Sequence, residues 1–93
     1  MFLYLVHCGF YDSELSDGLY ESHTNIFVAA ESFEDARARA KFNPDFKKRK
    51  MHVDGIQQIE AVDGFQIRLE ADAQLEGKNV IANFKHRDLA SKS

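Results

Sequence analysis

The segment that most constrains this fold is an apolar run at residues 2–10. Its alternate residues form one apolar face, made of Phe2, Tyr4, Val6, Cys8 and Phe10. The residues between them, Leu3, Leu5 and His7, form a second face that is also largely apolar. A strand with two apolar faces belongs in the middle of a sheet or between two covering layers. The sequence therefore predicts a central strand over residues 2–10.

The next elements follow from local composition. Residues 12–23 are polar and contain a glycine, which predicts a long loop or a loop with one helical turn. Residues 24–30 (TNIFVAA) are rich in strand-forming residues and predict a second strand.

A helix is predicted to begin after Ser32, whose side chain can cap free backbone amides. The acids at Glu34 and Asp35 would then lie at the positive end of the helix dipole. Its buried stripe is narrow and consists of Phe33, Ala36 and Ala40.

The pair Asn43–Pro44 is predicted to interrupt this helix, because proline cannot continue the hydrogen-bond ladder. The same pair can cap a further short turn, with Pro44 at its first position. Phe42 lies off the buried stripe, and we expect it to pack with Phe46 or at an interface.

Residues 56–70 carry the clearest hairpin signal. A two-residue Asp63–Gly64 turn would pair Glu60 with Ile67 on the apolar face. A three-residue loop, 62–64, instead pairs Ala61 with Phe65 and gives one polar and one apolar face. We predict the three-residue loop and a hairpin with one core face.

These elements predict an α+β fold of the order β-β-α-β-β. Its mainly antiparallel sheet is expected to have four to five strands and one α-helix packed on a face, with residues 78–84 as a possible C-terminal edge strand. We expect a single domain over residues 1–84 and a flexible tail over residues 85–93.

Length and charge limit the function. The 93 residues can bury one core, and the net charge of −3 is a near-cancellation of segregated blocks. Residues 1–36, 37–50, 51–76 and 77–93 have net charges of −7, +6, −5 and +3. Without an overall basic excess, uniform polyanion binding is not expected. The blocks can attract each other within one chain or across a partner.

The residues also suggest a compartment. One cysteine cannot form an internal disulfide, which fits a reducing environment. The start of the chain lacks the basic region of a signal peptide, and no run approaches the roughly 18 apolar residues of a membrane helix. We therefore expect a cytoplasmic protein with no membrane partner.

The sharpest chemical patterns are Glu21-x-His23 and His52-x-Asp54. Residues two apart in an extended segment point the same way, so each triplet can present an imidazole beside a carboxylate. If the two triplets converge, they can bind a divalent metal or pair each histidine with an orienting carboxylate for proton transfer. Otherwise the histidines cap loops and the acids are solvated.

Cys8 is adjacent to His7, but neighbouring strand residues point to opposite faces, so we expect the thiol to be a small core side chain. His23 or His52 could still reach Cys8 through the fold. The sequence has no phosphate-binding glycine loop, nucleophile elbow or CxxC pair, and we expect no cofactor.

A short basic segment follows the helix. Its basic side chains could contact phosphates, with Phe46 as a stacking surface, or form ion pairs with acidic residues of this chain or of a partner. Because the segment is short and no nucleic-acid fold motif accompanies it, nucleic-acid binding is the weaker interpretation. The segment consists of Phe46, Lys47, Lys48, Arg49 and Lys50.

The order of these elements resembles a small bacterial family, domain of unknown function 1543. The resemblance spans residues 1–70 and rests on an apolar strand ending at Gly9, E-x-H at 21–23, the strand 26–31, H-V-D at 52–54 and V-D-G-F at 62–65. Two departures are Cys8, where the family often has glycine, and Gly55, where it usually has serine. The resemblance supports the strand order and implies no reaction. Because some members contain the domain twice, it also implies that two copies associate.

Two functions are therefore considered. The leading hypothesis is a non-enzymatic binding or interaction module that acts as a homodimer, with Phe42 and residues 46–50 at the interface. The alternative is a small metal-dependent or acid/base enzyme that uses Glu21, His23, His52 and Asp54. The alternative requires these four side chains to lie together.

Overall fold

A computed structural model describes residues 1–85. Its strands are β1 (Phe2–Tyr11), β2 (Glu21–Ala30), β3 (His52–Gln58), β4 (Ala61–Val62) and β5 (Phe65–Gln66). Its helices are α1 (Ser13–Ser16), α2 (Phe33–Ala40) and α3 (Pro44–Lys48), followed by a 3-10 turn at Ala73–Leu75. The fold is thus α+β. Apart from Lys85, the predicted tail lies outside the described residues.

Strand β1 is the centre of a three-stranded antiparallel sheet with the order β2-β1-β3. The central position predicted for residues 2–10 is therefore confirmed. Strand β2 starts at Glu21, three residues earlier than predicted, because the end of β1 supplies a partner for the polar residues 21–23.

Only one face of this sheet forms the core. The buried side chains of β1 are Tyr4, Val6, Cys8 and Phe10. They pack with buried residues of β2, of the helices and of the link before β3, namely Ala30, Ala36, Ala40, Phe46 and Met51. The described helices cover this inner face. The opposite, outer face carries Leu5, His7 and Gly9 of β1.

Helix α2 begins as predicted. The hydroxyl of Ser32 accepts a hydrogen bond from the Asp35 N–H at 3.0 Å. The Asp35 carboxylate accepts in turn from the Glu31 N–H at 3.0 Å and from Arg39 Nε at 2.9 Å. These bonds satisfy amides that a helix start leaves without partners.

The prediction of one helix was incomplete. Helix α2 ends at Ala40, and Asn43 caps a separate helix α3 that has Pro44 in its first turn. This is the further short turn that the Asn43–Pro44 pair allowed. The predicted loop before β2 likewise contains one helical turn, α1, capped by Asp12.

The predicted three-residue hairpin loop was wrong. Val62 pairs with Phe65, so the turn contains only Asp63 and Gly64, whose φ angles are 51° and 83°. Two left-handed residues are what a tight type I′ turn requires. All four strand residues are exposed, so no core face selects the register and the Asp-Gly turn decides it.

The predicted four- to five-stranded sheet was also wrong. The β1–β3 ladder ends where the Ile59 N–H donates to the Leu3 carbonyl at 2.8 Å, near the start of β1. Residues 61–66 therefore extend past the sheet as a separate two-stranded hairpin. Residues 78–84 contain no strand, although residues 78–81 lie beside β2 across a groove.

Candidate functional site

The outer face of the sheet brings the two predicted triplets together. Gly9 of β1 lies opposite His23 of β2 on one side and His52 of β3 on the other. Residues directly opposite each other in antiparallel strands point to the same face. Glu21 lies two residues before His23, so strand alternation places its side chain on that face as well.

Asp54 lies two residues after His52, so strand alternation places its side chain on the same face. His7 pairs with Gly55 and Cys8 pairs with Val53, so the register shifts and leaves Asp54 without a direct partner. Gly55, and not Asp54, is therefore opposite His7, and the Asp54 carboxylate contacts both His23 and His52.

Four close contacts join these side chains. His23 Nε2 lies 2.7 Å from Glu21 Oε1 and 3.2 Å from Asp54 Oδ2. His52 Nε2 lies 3.4 Å from Glu21 Oε1 and 3.1 Å from Asp54 Oδ1. We call Glu21, His23, His52 and Asp54 the His–carboxylate cluster. The structure thus meets the spatial requirement of the alternative hypothesis.

Gly9 forms the floor of the cluster. A Cβ atom at this position would lie 2.7 Å from both His52 Nε2 and Asp54 Oδ2, and closer still to Glu21 Oε1. A real Cβ atom essentially never makes contacts this short. The cluster therefore requires glycine at this position.

Tyr11 and Glu21 are coupled by a hydrogen bond from the phenol to the carboxylate. This bond and the Glu21 charge raise the pKa of Tyr11. Desolvation opposes ionisation of Glu21, but the Tyr11 bond and the imidazoles of His23 and His52 outweigh it and lower the pKa of Glu21. Glu21 is therefore an anion near neutral pH.

His7 is a functional candidate that the sequence reasoning missed. Its ring stacks on that of His23, with centroids 4.9 Å apart and planes inclined by 8°. His7 Nδ1 lies 2.8 Å from Asn25 Oδ1. His7 lies two residues before Gly9 in a strand, so alternation placed both on one face.

Comparison with known proteins identifies the family. The family model described as Domain of Unknown Function (DUF1543) matches residues 18–69, which are 52 of the 93 residues. The chain belongs to the DUF1543 family. Searches of curated proteins and of solved structures found no match.

The range matched by the DUF1543 model, residues 18–69, contains the whole His–carboxylate cluster, because the four residues of the cluster lie between positions 21 and 54. It does not include β1. His7, Gly9 and Tyr11 are thus contributed by a part of this chain outside the matched range.

The thiol of this DUF1543 chain takes no part in the cluster. Cys8 is fully buried on the inner face of the sheet, and burial, with the nearby Asp54 charge, raises the pKa of its thiol. A buried, protonated thiol is a poor nucleophile and a poor metal ligand. The suggestion that His23 or His52 reaches Cys8 was wrong. The Cys8 side chain lies on the inner face of the sheet, whereas both histidines lie on the outer face.

The predicted interaction segment divides between core and surface. Phe46 is buried, so it offers no stacking surface for a base or a partner. Phe42 is 73% exposed, and Lys47 Nζ lies 5.5 Å from its ring centroid, so Phe42 does not pack in the core with Phe46. Arg49 pairs with Asp12 at 3.3 Å and lies over the Phe10 ring. Lys48 and Lys50 are exposed.

A groove of about 640 Å³ lies beside β2 in this DUF1543 chain. Residues 78–81 form one of its walls and residues 23–27 the other. Of the cluster, only His23 borders the groove, so the groove and the cluster are separate features. In the part of the chain that is described, none of the helices has the length and apolar character needed to cross a membrane.

Proposed function

We propose that this DUF1543 protein binds a divalent transition-metal ion through Glu21, His23, His52 and Asp54. The observation that carries the proposal is the convergence of two imidazole nitrogens and two carboxylates over Gly9, at the distances given above. The sequence hypothesis of a metal site at these residues is thereby retained in preference to loop capping.

The donor set favours metals of the zinc type. Nitrogen from two histidines and oxygen from carboxylates suit Zn²⁺, Fe²⁺, Ni²⁺ or Mn²⁺, whereas Ca²⁺ and Mg²⁺ prefer oxygen alone. His23 and His52 are 43% and 47% exposed at their side chains, which leaves access for the ion and for a further ligand. An accessible coordination position distinguishes catalytic from closed structural zinc sites.

The orientation of the rings favours metal binding over metal-free proton transfer. In an acid/base pair, the carboxylate orients one ring nitrogen so that the other faces the substrate. Here the Nε2 atoms of both His23 and His52 point at the carboxylates. Because the Nε2 atoms of both imidazoles converge on the same two carboxylates, the four side chains are arranged as the ligands of one ion.

Isothermal titration of the full chain with Zn²⁺ and with Mn²⁺ at pH 7 tests this proposal. Alanine at His23 or His52, glutamine at Glu21 and asparagine at Asp54 are each expected to weaken binding by about 100-fold or more. Glu34→Gln is a matched control, because Glu34 is an exposed carboxylate in α2 outside the cluster. Absence of binding by the native chain, or equal affinity in all variants, would overturn the proposal.

The hairpin supports a second candidate function, the association of two copies of the chain. Val62 and Phe65 of the hairpin are 51% and 75% exposed. An isolated two-stranded hairpin is marginal in water and gains stability by packing on another surface. The radius of gyration is 15.9 Å, whereas a compact chain of this length has about 12 Å, so part of the chain lies away from the core.

Charge complementarity supports one surface for the docking of the hairpin. Residues 59–77, the acidic arm, contain five acids and one base, and residues 37–50 have a net charge of +6. Among the ion pairs of residues 1–85, the bases of residues 37–50 pair with Asp35 and Asp12 and with no residue of the acidic arm. We propose that the acidic arm of one copy docks beside Phe42 on residues 37–50 of a second copy.

Light scattering after size exclusion measures this association. Native protein is expected to be a dimer that dissociates as salt rises, and Phe65→Ser and Phe42→Ser are expected to be monomers. Leu19→Ser is the control, because Leu19 is equally exposed but lies outside both surfaces. A native chain that stays monomeric at high concentration, or a Phe65→Ser variant that stays dimeric, would exclude this interface.

A further inference from the structure

The outer face contains two sets of metal donors. His7, His23 and Asp54 form one set, and Glu21, His52 and Asp54 form the other. In each set the donor atoms lie within 4.8 Å of one another. We infer that the site holds two divalent ions side by side, with the Asp54 carboxylate as the bridge between them. This inference rests on the proposed metal-binding function.

The two oxygens of Asp54 already face different histidines. Oδ2 lies 3.2 Å from His23 Nε2, and Oδ1 lies 3.1 Å from His52 Nε2. A carboxylate divided in this way can give one oxygen to each of two ions. Paired ions of this type are about 3.5–4 Å apart in two-metal sites.

Asn25 orients His7 as a ligand of the second ion, the one that His7, His23 and Asp54 would bind. Asn25 presents its side-chain oxygen to His7 Nδ1 at 2.8 Å, an arrangement that favours the tautomer with the proton on Nδ1. In that tautomer Nε2 carries the lone pair and is the nitrogen that can bind the ion. Orientation of a ligating histidine by a hydrogen bond at its other nitrogen is typical of metal sites.

Each ion would have three protein donors, one of them shared. Three donors leave at least one position open, and His7, His23 and His52 are all exposed. Two adjacent open positions on the outer face suit an anionic ligand that can bridge both ions, such as a phosphate group.

Metal stoichiometry tests the second ion. Titration with Zn²⁺, together with elemental analysis after gel filtration, is expected to give two ions per native chain and one for His7→Ala. A Mn²⁺-loaded native chain is expected to show the exchange-coupled spectrum of a manganese pair in electron paramagnetic resonance, and His7→Ala that of a single ion.

Asn25 provides the positioning test. Asn25→Leu removes the hydrogen-bond acceptor of His7 and is expected to lower the affinity for the second ion by about 10-fold or more. Asn25→Asp keeps an acceptor and is expected to bind both ions. Since Asn25 is exposed, the fold should tolerate both changes. If the native chain binds one ion, the second ion is excluded while the proposed single-ion function stands. If His7→Ala still binds two ions, the donor set of His7, His23 and Asp54 is excluded. No binding at all excludes both.

Discussion

Gly9 leaves free the space that the Glu21 carboxylate occupies. A Cβ at Gly9 would overlap Glu21 Oε1, although the two residues lie on different strands. The pairing of Gly9 with His23 brings Glu21 to this position from two residues away. One absent side chain in the central strand thus permits the His–carboxylate cluster.

Gly9→Ala is expected to disrupt metal binding while the sheet persists. The added methyl displaces Glu21 and Asp54, so Zn²⁺ affinity should fall by about 10-fold or more. Gly55→Ala is the matched control, because a Cβ there meets no atom within 4 Å. Calorimetry measures the affinity and circular dichroism the fold. Equal affinity in Gly9→Ala and Gly55→Ala would contradict the assigned role of Gly9.

The Cys8 thiol is expected to be inert in the folded protein. Burial raises its pKa, so a thiol reagent should not react with the native chain and should modify one thiol after denaturation. Cys8→Ala should cost about 1 kcal/mol of unfolding free energy and leave metal affinity unchanged. Fast labelling of the native chain, or loss of metal binding in Cys8→Ala, would place the thiol in the site.

Asp35 is expected to make stability depend on acid pH. The hydrogen bond from the Glu31 N–H, followed by that from Arg39, lowers the pKa of Asp35 below its ordinary value of 3.8. A lowered folded-state pKa stabilises the protein above the unfolded value, and this stabilisation is lost as pH falls through the folded value.

Urea unfolding of Asp35→Asn measures this effect. The midpoint should lie below that of the native chain at pH 7, and the difference should shrink as pH falls below about 4. Glu34→Gln, in the same first turn, lacks these hydrogen bonds and is the control. A difference that is constant from pH 7 to pH 2 would show that the Asp35 charge does not contribute.

Phe46 and Phe42 are expected to differ in their effects on stability. Phe46→Ala empties a core position and should cost about 3 kcal/mol or more of unfolding free energy. In high salt, where the chain is expected to be monomeric, Phe42→Ala removes an exposed ring and should change the unfolding free energy by about 0.5 kcal/mol or less. Denaturant titrations compare them directly. Similar costs would mean that the two rings share one environment.

Sequence patterns correctly predicted the elements that depend on residues close together in the chain. The two apolar faces of residues 2–10 indicated the central strand, because alternation in a strand fixes which side chains share a face. Ser32 and Asn43 indicated helix starts, because each cap satisfies amides within three residues of itself. The family resemblance also came from the sequence, through the order of short patterns.

Errors arose where distant packing decides the outcome. The hairpin loop was predicted from an assumed core face, and in the structure the hairpin extends past the sheet, so the turn residues set its register. Phe46 was assigned to a surface because lysines surround it in sequence, but α3 turns its ring into the core.

The sequence by itself determined the central strand, the helix caps and the two His–carboxylate triplets as separate pairs, since each depends on residues near one another along the chain. Tertiary structure alone decided that the pairs meet. Their convergence depends on antiparallel pairing of Gly9 with both His23 and His52. These paired residues are 14 and 43 positions apart in the chain, a separation that local spacing does not specify.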